Sequence, residues 1–508
     1  MVLLISINET ELYTNPEADQ ATCQLRREGF DVDIVYCHDI SKKNSIIQSL
    51  TNQYDLIGVL VQKPTFKEGY LAGVDIAKAA ASEKGIVFAA GTFATNNYKE
   101  ILQNDSVEYV ILGNYVENVV LLAKSVANNN TVPRISSIAC RDNIGATQPY
   151  VSENVYDVCY DYYCKDSVEK NRTKIHWMQL KNNVCPNRCS FCENPNGKIA
   201  VRNFENVYRE IKTVAEMGVQ KFFFKDPDLF FPHTAEYRKL LKRIFTQIKQ
   251  DNLQLVFTCF CRSSTLKDNA QDNELLSIMY SGGLTTVFVG LDGGNEHDLK
   301  LYNKGTNIAK HYETLSLLQK NNILPIPGFI NINPYSTLET LGLNYKFLTS
   351  IRCASHYVYC NSILKVYKGT TIYERLKQDG LLKDGEQIHG AIPYAFQDSA
   401  TEKIYNFFVQ NGSQLKCVKS AAHYLKIQYC DCKFLYPEVE EMFGSAIAYL
   451  EHKSFEAIQQ FFALVYEQND LVAAQNALTT YVDTMKDISE QCEVISQSLQ
   501  ARFPVRIV

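Results

Sequence analysis

The first part of the chain alternates short apolar runs with segments of helical periodicity. The helical segments include "CQLRREG" and "YLAGVDIAKAAASEKG", and the apolar runs lie at residues 3–7, 31–37, 55–61, 86–91 and 109–113. Near-continuous apolar strands with helical crossovers are typical of a parallel sheet that is covered on both faces. The pattern predicts a five-stranded, doubly wound domain over residues 1–130, with a ligand crevice at the carboxyl ends of its strands.

A second alternation of strands and helices begins at residue 174. The preceding stretch, residues 131–173, has no regular period and is predicted to be a linker. Strand-like runs then occur at residues 175–180, 221–226, 253–260, 285–293, 323–332 and 357–367. Six β/α units over residues 174–380 predict an open, partial (β/α)6 barrel, whose functional face is again the carboxyl ends of the strands.

The last part of the chain, residues 381–508, loses the strand pattern and becomes helical, as in "EVEEMFGSAIAYLEHKSFEAIQQFFALVYEQ". We expect an all-helical C-terminal domain that shapes the entrance to the substrate site. The fold class predicted for the whole chain is therefore α/β, with a doubly wound sheet, a partial barrel and a helical end.

Composition narrows the class of protein without identifying it. The 508 residues are 46% hydrophobic and 21% charged, which is ordinary for a globular chain of several domains. A net charge of −5 argues against a general nucleic-acid binder. No apolar run reaches the roughly 18 residues of a membrane helix, and the short, soon acidic start "MVLLISINETE" does not read as a signal peptide. We therefore expect a cytoplasmic protein without membrane or nucleic-acid partners.

The stretch "NNVCPNRCSFCENPNG" gathers Cys185, Cys189 and Cys192 directly after the first predicted barrel strand. Thiols of a cytoplasmic chain stay reduced, so this cluster indicates metal or redox chemistry rather than disulfides. A structural zinc site needs four ligands, and the neighbouring cysteines, Cys164 and Cys259, are far away in sequence. A zinc site completed by such a distant thiol stays open as an alternative. An iron–sulfur cluster held by three thiolates fits better, because one iron is left free for a non-protein ligand.

The C-x3-C-x2-C spacing at this place resembles the radical S-adenosylmethionine (SAM) family. The resemblance implies a [4Fe-4S] cluster on Cys185, Cys189 and Cys192, whose open iron binds the amino and carboxylate groups of SAM. An electron from the cluster then cleaves SAM to a 5′-deoxyadenosyl radical. By position in the motif, Phe191 would pack near the adenine.

Two later stretches resemble the family in the same order. "FFFKDPDLF" corresponds to the segment beside the SAM amino group, which makes Asp226 and Asp228 candidate contacts. "FTCFCRSSTL" places Arg262 and Ser263 for contact with the SAM carboxylate or ribose. The structural alternatives remain open: the two aspartates could only cap the following helix, and the arginine could only form a surface ion pair.

Two further segments complete the resemblance of the barrel. "VFVGLDGGNEHDLKLYNKGTN" is similar to a family segment, with Asp292 where glutamate is usual. "GFININPYST" matches another segment and adds Asn331 as a candidate SAM contact.

The front domain resembles the cobalamin-binding subgroup of this family, on the stretches "DLIGVLVQKPTF", "VFAAGTFAT" and "YVILGNYVENVVLLAKSV". Gly91 and Thr92 would then contact the corrin, since close approach of a large ligand requires small side chains, and so would Gln62, at the end of the third strand. The motif that supplies a lower axial histidine is absent after the first strand, and His38 follows the second strand instead. The resemblance thus implies cobalamin without a histidine ligand, and a ligand-free scaffold is the alternative.

The function implied is a cobalamin-dependent methyltransferase that acts on an unactivated carbon of a peptide or natural product. One SAM would supply the radical that removes a hydrogen atom, and methylcobalamin would donate the methyl group. A reducing partner such as flavodoxin or ferredoxin is expected. The alternatives are a radical SAM cyclase or rearrangement enzyme without methyl transfer, and a non-catalytic iron–sulfur redox protein.

Overall fold

The fold is taken from a computed structural model of the chain. The structure describes residues 1–7, 15–62, 67–103, 106–128, 132, 134–144, 148–157, 175–194, 196–352, 357–383, 391–416 and 421–505.

The front domain is a sheet with strand order β2-β1-β3-β4-β5-β6, in which all pairs are parallel except the last. Its strands are β1 (Val2–Ile7), β2 (Val32–Cys37), β3 (Tyr54–Val61), β4 (Ala81–Ala90), β5 (Tyr109–Ile111) and β6 (Ile138–Ala139). Its helices are α1 (Pro16–Arg27), α2 (Lys43–Ser49), α3 (Lys67–Ala80), α4 (Thr92–Ile101) and α5 (Val116–Ala127).

Strand β1 shows why the sheet is covered on both sides. Leu3, Ile5 and Ile7 point into one hydrophobic cluster, and Val2 and Leu4 point into the other. Successive side chains of a strand alternate between faces, so a fully apolar strand is stable only between two layers of helices. The predicted doubly wound domain is confirmed.

The front domain differs from the prediction at two places. The predicted helix before β4 ends at Ala80, and the strand begins immediately, at Ala81. The predicted linker contributes β6, which pairs antiparallel with β5, and Tyr150 forms a parallel bridge with Gly113. The part of the linker that the structure describes is therefore packed on the edge of the sheet.

The barrel has five parallel strands in the order β11-β10-β9-β8-β7. The strands are β7 (His176–Met178), β8 (Lys221–Phe224), β9 (Val256–Arg262), β10 (Leu284–Asp292) and β11 (Leu324–Phe329). Its helices are α6 (Phe204–Glu216), α7 (Ala235–Gln250), α8 (Ala270–Ser281), α9 (Glu296–Leu301), α10 (Ile308–Lys320), α11 (Leu338–Ser350), α12 (Tyr357–Cys360) and α13 (Thr371–Gln378).

The predicted sixth barrel strand is reduced to one parallel bridge, between Ile332 and Ile363. Tyr357–Cys360, the start of that predicted strand, is a short helix instead. The apolar run "YVYCNSILKVY" fits either state, because a short run does not distinguish a buried strand from a buried helical turn. The architecture is still an open, partial barrel.

The predicted helical C-terminal region is confirmed, with helices α14 (Ser399–Gln410), α15 (Gly412–Lys416), α16 (Ala421–Leu435), α17 (Val439–Tyr466) and α18 (Leu471–Arg502). The barrel and these helices share one hydrophobic cluster. In α16, the buried Asp431 accepts hydrogen bonds from Lys221 Nζ and Thr285 Oγ1, both at 2.6 Å.

Lys221 and Thr285 lie at the amino ends of β8 and β10. Helix α16 therefore covers the face opposite to the cysteine loop, whereas Thr401 of α14 donates to the Ser336 carbonyl, beyond the carboxyl end of β11. That the C-terminal region shapes the substrate entrance stays a prediction. A cavity of about 1050 Å³ lies on the face that α16 covers, between α10, α16, α17 and the starts of β10 and β11. None of the helices among the described residues combines the length and apolar character needed to span a membrane.

Candidate functional site

The three cysteines of "NNVCPNRCSFCENPNG" occupy the loop after β7, at the carboxyl end of the barrel. Cys185 is buried, and Cys189 and Cys192 are partly buried. Burial, with smaller contributions from the nearby thiols of Cys189 and Cys185, raises the pKa of Cys192 to about 11. The three sulfur atoms thus lie within electrostatic reach of each other. Among the described residues, no three Cys, His, Asp or Glu side chains converge on a single metal-ion position.

Two cations lie beside the cysteine loop. Burial raises the pKa of Cys189, and Lys304 and Arg262 oppose that rise through their positive charges. Arg262 ends β9, and its guanidinium donates to the Lys304 carbonyl. Arg262 Nε is buried and has no hydrogen-bond partner. These cations favour an anionic group, because an unpaired buried donor is costly until an acceptor reaches it.

Asp292, at the end of β10, forms an ion pair with the buried Lys304 ammonium. Its backbone has φ of 60°, a left-handed conformation that aspartate and asparagine adopt more readily than most residues. This conformation fits aspartate better than the glutamate that is usual at this position of the family segment. The ion pair fixes Lys304 at the barrel mouth, where the structure brings it close to Cys189.

Asp226 and Asp228, predicted to contact SAM, hold the beginning of the cysteine loop in place. Asp226 accepts hydrogen bonds from the backbone N–H groups of Leu180 (3.0 Å) and Lys181 (2.8 Å). Asp228 accepts from Thr265 Oγ1, and the buried Lys181 ammonium donates to the Asp228 carbonyl. Both carboxylates are almost fully buried. This placement favours a structural role, although the helix cap considered as the alternative is not what they form.

Ser263 is held from behind by α10. His311 Nδ1 lies 2.8 Å from Ser263 Oγ, and Thr314 Oγ1 donates to the Ser263 carbonyl. Burial, with a smaller contribution from Lys304, lowers the pKa of His311 to about 4, so the imidazole is neutral at pH 7. A neutral, fully buried histidine suits the positioning of a hydroxyl group rather than proton transfer to solvent.

Asn331 and Phe191 lie at different depths of the site. Asn331 is fully buried behind β11, where its side-chain amide donates to the Cys360 carbonyl. Phe191 is partly buried in the cysteine loop and contacts Tyr302 edge to face, with ring centroids 5.4 Å apart. The structure therefore brings Phe191, Arg262, Ser263 and Asp292 to one mouth, whereas the Asn331 amide bonds behind β11 and its Oδ1 is buried without a hydrogen-bond partner.

The three front-domain candidates meet at the carboxyl ends of β3 and β4. Gln62 Nε2 donates to Glu17 and lies 3.4 Å from the Tyr115 hydroxyl, and Thr92 Oγ1 lies 3.5 Å from Gln62 Oε1. Gly91 has φ of 95°, and a Cβ there would lie 2.5 Å from the Val61 carbonyl. The fold itself therefore requires this glycine, with or without a ligand.

Asn96 of α4 links the two domains, since its side-chain amide donates to Glu193, the residue after Cys192. The described linker adds a second link, in which Asn182 Nδ2 donates to the Ser152 carbonyl at 2.7 Å. The carboxyl ends of the two sheets thus face each other across the cysteine loop.

The residues present fit an anionic cluster and a carboxylate-bearing ligand in the barrel mouth. Three adjacent thiols and two cations, Lys304 and Arg262 with its unpaired Nε, supply the donor set. The front crevice fits a ligand with hydrogen-bond acceptors, because α4 begins there without a side-chain cap and leaves N–H groups of its first turn available. No cobalt ligand follows from this geometry, and His38 stacks on Tyr36 after β2.

The sequence interpretation missed Lys181, Lys304, His311 and Glu193. Lys304 belongs to the quoted "LYNKGTN" segment, so its place near Asp292 could have been proposed from that segment. Glu193 adjoins a predicted ligand but carries no signal that it faces the front domain. Cys164, a possible fourth zinc ligand, lies outside the described residues, and Cys259 is buried in β9.

Residues 181–348 match the family model of the Radical SAM superfamily. An uncharacterised methyltransferase of Synechocystis sp. is 24% identical over 277 residues, which cover 54% of this chain and 47% of that protein. An anaerobic magnesium-protoporphyrin IX monomethyl ester cyclase of Cereibacter sphaeroides is 23% identical over 276 residues, which cover 50% of this chain and 43% of that protein. The chain therefore spans less than half the length of these relatives.

Two solved structures share the fold. One is the cobalamin-dependent S-adenosylmethionine radical enzyme OxsB with aqua-cobalamin and S-adenosylmethionine bound, which superposes with a TM-score of 0.70 at 13% identity. The match covers 98% of this chain and 80% of the OxsB chain. The other is the radical S-adenosylmethionine methyltransferase TsrM from Kitasatospora setae, with a TM-score of 0.59 at 17% identity. This match covers 76% of this chain and 78% of the TsrM chain. At these identities the likeness shows the fold, which extends over all three regions of the chain in the first case.

Proposed function

We propose, from the match of residues 181–348 to the Radical SAM superfamily model, that the chain is a cobalamin-dependent methyltransferase acting on an unactivated carbon of a peptide or natural product. The observation that carries the proposal is the cysteine loop, which lies at the barrel mouth beside Arg262 and Lys304 and contacts the front domain through Asn96. Two carboxyl-end sheet edges that meet at the cysteine loop suit a reaction in which two groups act on one carbon.

The barrel residues have distinct tasks in this proposal. Cys185, Cys189 and Cys192 would hold the [4Fe-4S] cluster and leave one iron for SAM. Arg262 and Lys304 place positive charge beside Cys189, which offsets the negative charge of the thiolates and favours the SAM carboxylate. When bound, the cluster and SAM supply the radical that removes a substrate hydrogen, and cobalamin supplies the methyl group.

The front domain would bind cobalamin through polar groups rather than through a histidine ligand. Gln62, Thr92 and the first N–H groups of α4 lie at the carboxyl ends of β3 and β4, where ligands of such sheets bind. Binding there requires Gln62 to exchange its contact with Glu17 for one with the ligand. The fold likeness to a cobalamin-bound enzyme over 98% of this chain supports the proposal.

A second function is favoured by one specific observation. A curated relative at 23% identity is named as an anaerobic ester cyclase, so the same barrel could direct the radical to ring formation without methyl transfer. Both functions need the cluster and SAM, and they differ only after hydrogen abstraction.

The first experiment tests the shared step. Anaerobically reconstituted protein, reduced chemically or by flavodoxin or ferredoxin, is expected to convert SAM to 5′-deoxyadenosine, and a Cys192→Ala variant is expected to produce none. An iron–sulfur protein that leaves SAM intact would support the redox-protein alternative. A purified chain that contains tetrahedral zinc and no iron–sulfur spectrum would overturn the proposal.

The second experiment separates the two enzymatic functions. SAM that carries a deuterated methyl group is incubated with hydroxocobalamin-loaded enzyme and candidate peptides or natural products, and products are identified by mass. A product with the deuterated methyl group supports methylation. A product that has lost hydrogen and gained no label supports the cyclase.

A further inference from the structure

Helix α4 begins in the front-domain crevice, and its first turn is fixed to the sheet. The Gly91 carbonyl accepts hydrogen bonds from the backbone N–H and the Oγ1 of Thr95, both at 2.9 Å. Thr95 Oγ1 also accepts from the backbone N–H of Gly113, at 3.0 Å. Because these bonds join the helix to the ends of two strands, the first turn of α4 moves with the crevice.

Thr92 and Asn96 lie four residues apart on α4. Residues at this spacing lie on the same face of a helix, one turn apart, at a rise of about 1.5 Å per residue. Thr92 faces Gln62 in the crevice, and Asn96 reaches the cysteine loop. One helical turn therefore separates the crevice from that loop.

Glu193 receives this contact on the barrel side. Burial raises the pKa of its carboxyl group, and the hydrogen bond from Asn96 opposes that rise. The next residue, Asn194, points its backbone N–H at Cys192 Sγ, at 3.5 Å. Glu193 and Asn194 thus hold the part of the loop that presents the last cysteine.

Other hydrogen bonds join the barrel to the front domain and the linker before and after the cysteine loop, and after the loop Arg202 Nε donates to Asp157 at 2.8 Å. Gln20 Nε2 donates to Gln179 Oε1 at 3.2 Å, and Asn182 Nδ2 donates to the Ser152 carbonyl. Both bonds precede Cys185 in the loop. Asn96 is the helix α4 residue that bonds on the far side of Cys192.

We propose that Asn96 and Glu193 form a positioning pair that holds Cys192 in place and transmits occupancy of the front-domain crevice to the cluster. A ligand that contacts Thr92 and Gln62 adds a further restraint to the first turn of α4, and the Asn96 amide on the same turn restrains the Glu193 side of the loop. The pair takes no part in the reaction itself. Transmission rests on the proposed cobalamin function, whereas the positioning of Cys192 does not.

The test measures how fast the reconstituted cluster loses iron to a ferrous chelator, with and without hydroxocobalamin, under anaerobic conditions. In the wild-type chain, hydroxocobalamin is expected to slow iron loss several-fold. In Asn96→Ala, the rate without hydroxocobalamin is expected to rise by about ten-fold, which corresponds to the loss of one hydrogen bond to a charged group, and the effect of hydroxocobalamin is expected to disappear. The electron paramagnetic resonance spectrum of the reduced cluster gives an independent readout.

Asn97→Ala is the matched control, since the Asn97 amide donates to the Phe93 carbonyl within α4, at 2.8 Å. We expect its iron loss to equal that of the wild type. Glu193→Gln keeps an acceptor for Asn96 and should retain the hydroxocobalamin effect, whereas Glu193→Ala should lose it.

Two outcomes overturn the proposal in distinguishable ways. Equal iron loss in Asn96→Ala and Asn97→Ala without hydroxocobalamin would refute the positioning of Cys192. If hydroxocobalamin slows iron loss equally in wild type and Asn96→Ala, transmission through this pair is refuted. Failure of the wild type to bind hydroxocobalamin, seen by absorbance titration, would instead refute the proposed function and transmission with it, and the chelator comparison would still decide the positioning.

Discussion

The barrel mouth and the front-domain crevice are both carboxyl-end edges of parallel sheets, yet they carry different kinds of evidence for a ligand. The barrel mouth contains three adjacent thiols and an arginine whose Nε is buried without a partner. In the crevice, Gln62 bonds to Glu17 and lies beside Tyr115. Groups that the fold leaves unsatisfied point to a ligand more strongly than groups that satisfy each other.

Gly91 and Arg262 show the same contrast for single residues. A glycine at a strand end resembles a ligand contact in sequence, but the Val61 carbonyl already excludes a side chain at Gly91. Nothing in the described packing requires Arg262 Nε to be buried without an acceptor. The unpaired Arg262 Nε is therefore stronger evidence for a ligand than Gly91, which the backbone requires in any case.

The largest expected effect is the loss of the cluster from the barrel mouth. Cys185→Ala, Cys189→Ala and Cys192→Ala are each expected to reduce the iron content of the reconstituted protein to background, because a cubane cluster needs all three thiolates. Iron analysis and visible absorbance measure this. Cys140→Ala, a partly buried cysteine of the front domain, is the control and should keep the cluster. Full iron content in any of the three variants would contradict the assignment of that ligand.

On the front-domain side, Gly91→Ala is expected to lower the free energy of unfolding by about 3 kcal/mol, from backbone strain and the clash with Val61. Chemical denaturation of the cofactor-free protein measures the loss. Gly412→Ala is the control, since a Cβ there meets nothing within 4 Å. A change below about 0.5 kcal/mol at Gly91 would mean that the fold does not need this glycine.

A buried carboxyl group between the front domain and the barrel predicts that the free energy of unfolding depends on pH. Burial raises the pKa of Asp19 in α1 to about 7 from 3.8, against the lowering effect of the hydrogen bond from Tyr36. The folded chain therefore keeps this proton at pH values where the unfolded chain has lost it. The stabilisation is complete below the unfolded pKa and is lost as pH rises through about 7.

Asp19→Asn removes this titration. Relative to the wild type, the variant is expected to gain about 2 to 3 kcal/mol of stability between pH 5 and pH 8. Denaturant unfolding at the two pH values measures the gain. A constant difference between variant and wild type would show that Asp19 does not titrate in this range.

The smallest expected effect concerns the support of the barrel mouth. Ser263→Ala removes the partner of His311 Nδ1 and is expected to lower stability by about 1 kcal/mol. We also expect Ser263 to contact SAM, so the dissociation constant for SAM should rise several-fold in this variant. Ser281→Ala, whose hydroxyl donates to the Ile278 carbonyl, should leave SAM binding unchanged. Unaltered SAM affinity in Ser263→Ala would limit Ser263 to a structural role.

Much of the fold was predictable because its signals are local. Continuous apolar runs gave the five parallel strands of each sheet, and the order of residues placed the cysteine loop directly after β7. The sixth barrel strand was not predictable, since the apolar run at residues 357–367 fits a strand or a helical turn, and only its neighbours decide.

The sequence by itself determined the two parallel sheets, the helical end and the three thiols at one loop, because periodicity and motif spacing act between residues that are close in the chain. Tertiary structure decided the rest: that Asp226 and Asp228 hold the loop, that Lys304 stands beside Cys189, and that Asn96 meets Glu193. These contacts join residues that are distant in sequence, and a hydrogen bond or an ion pair is specified only when folding brings both partners together.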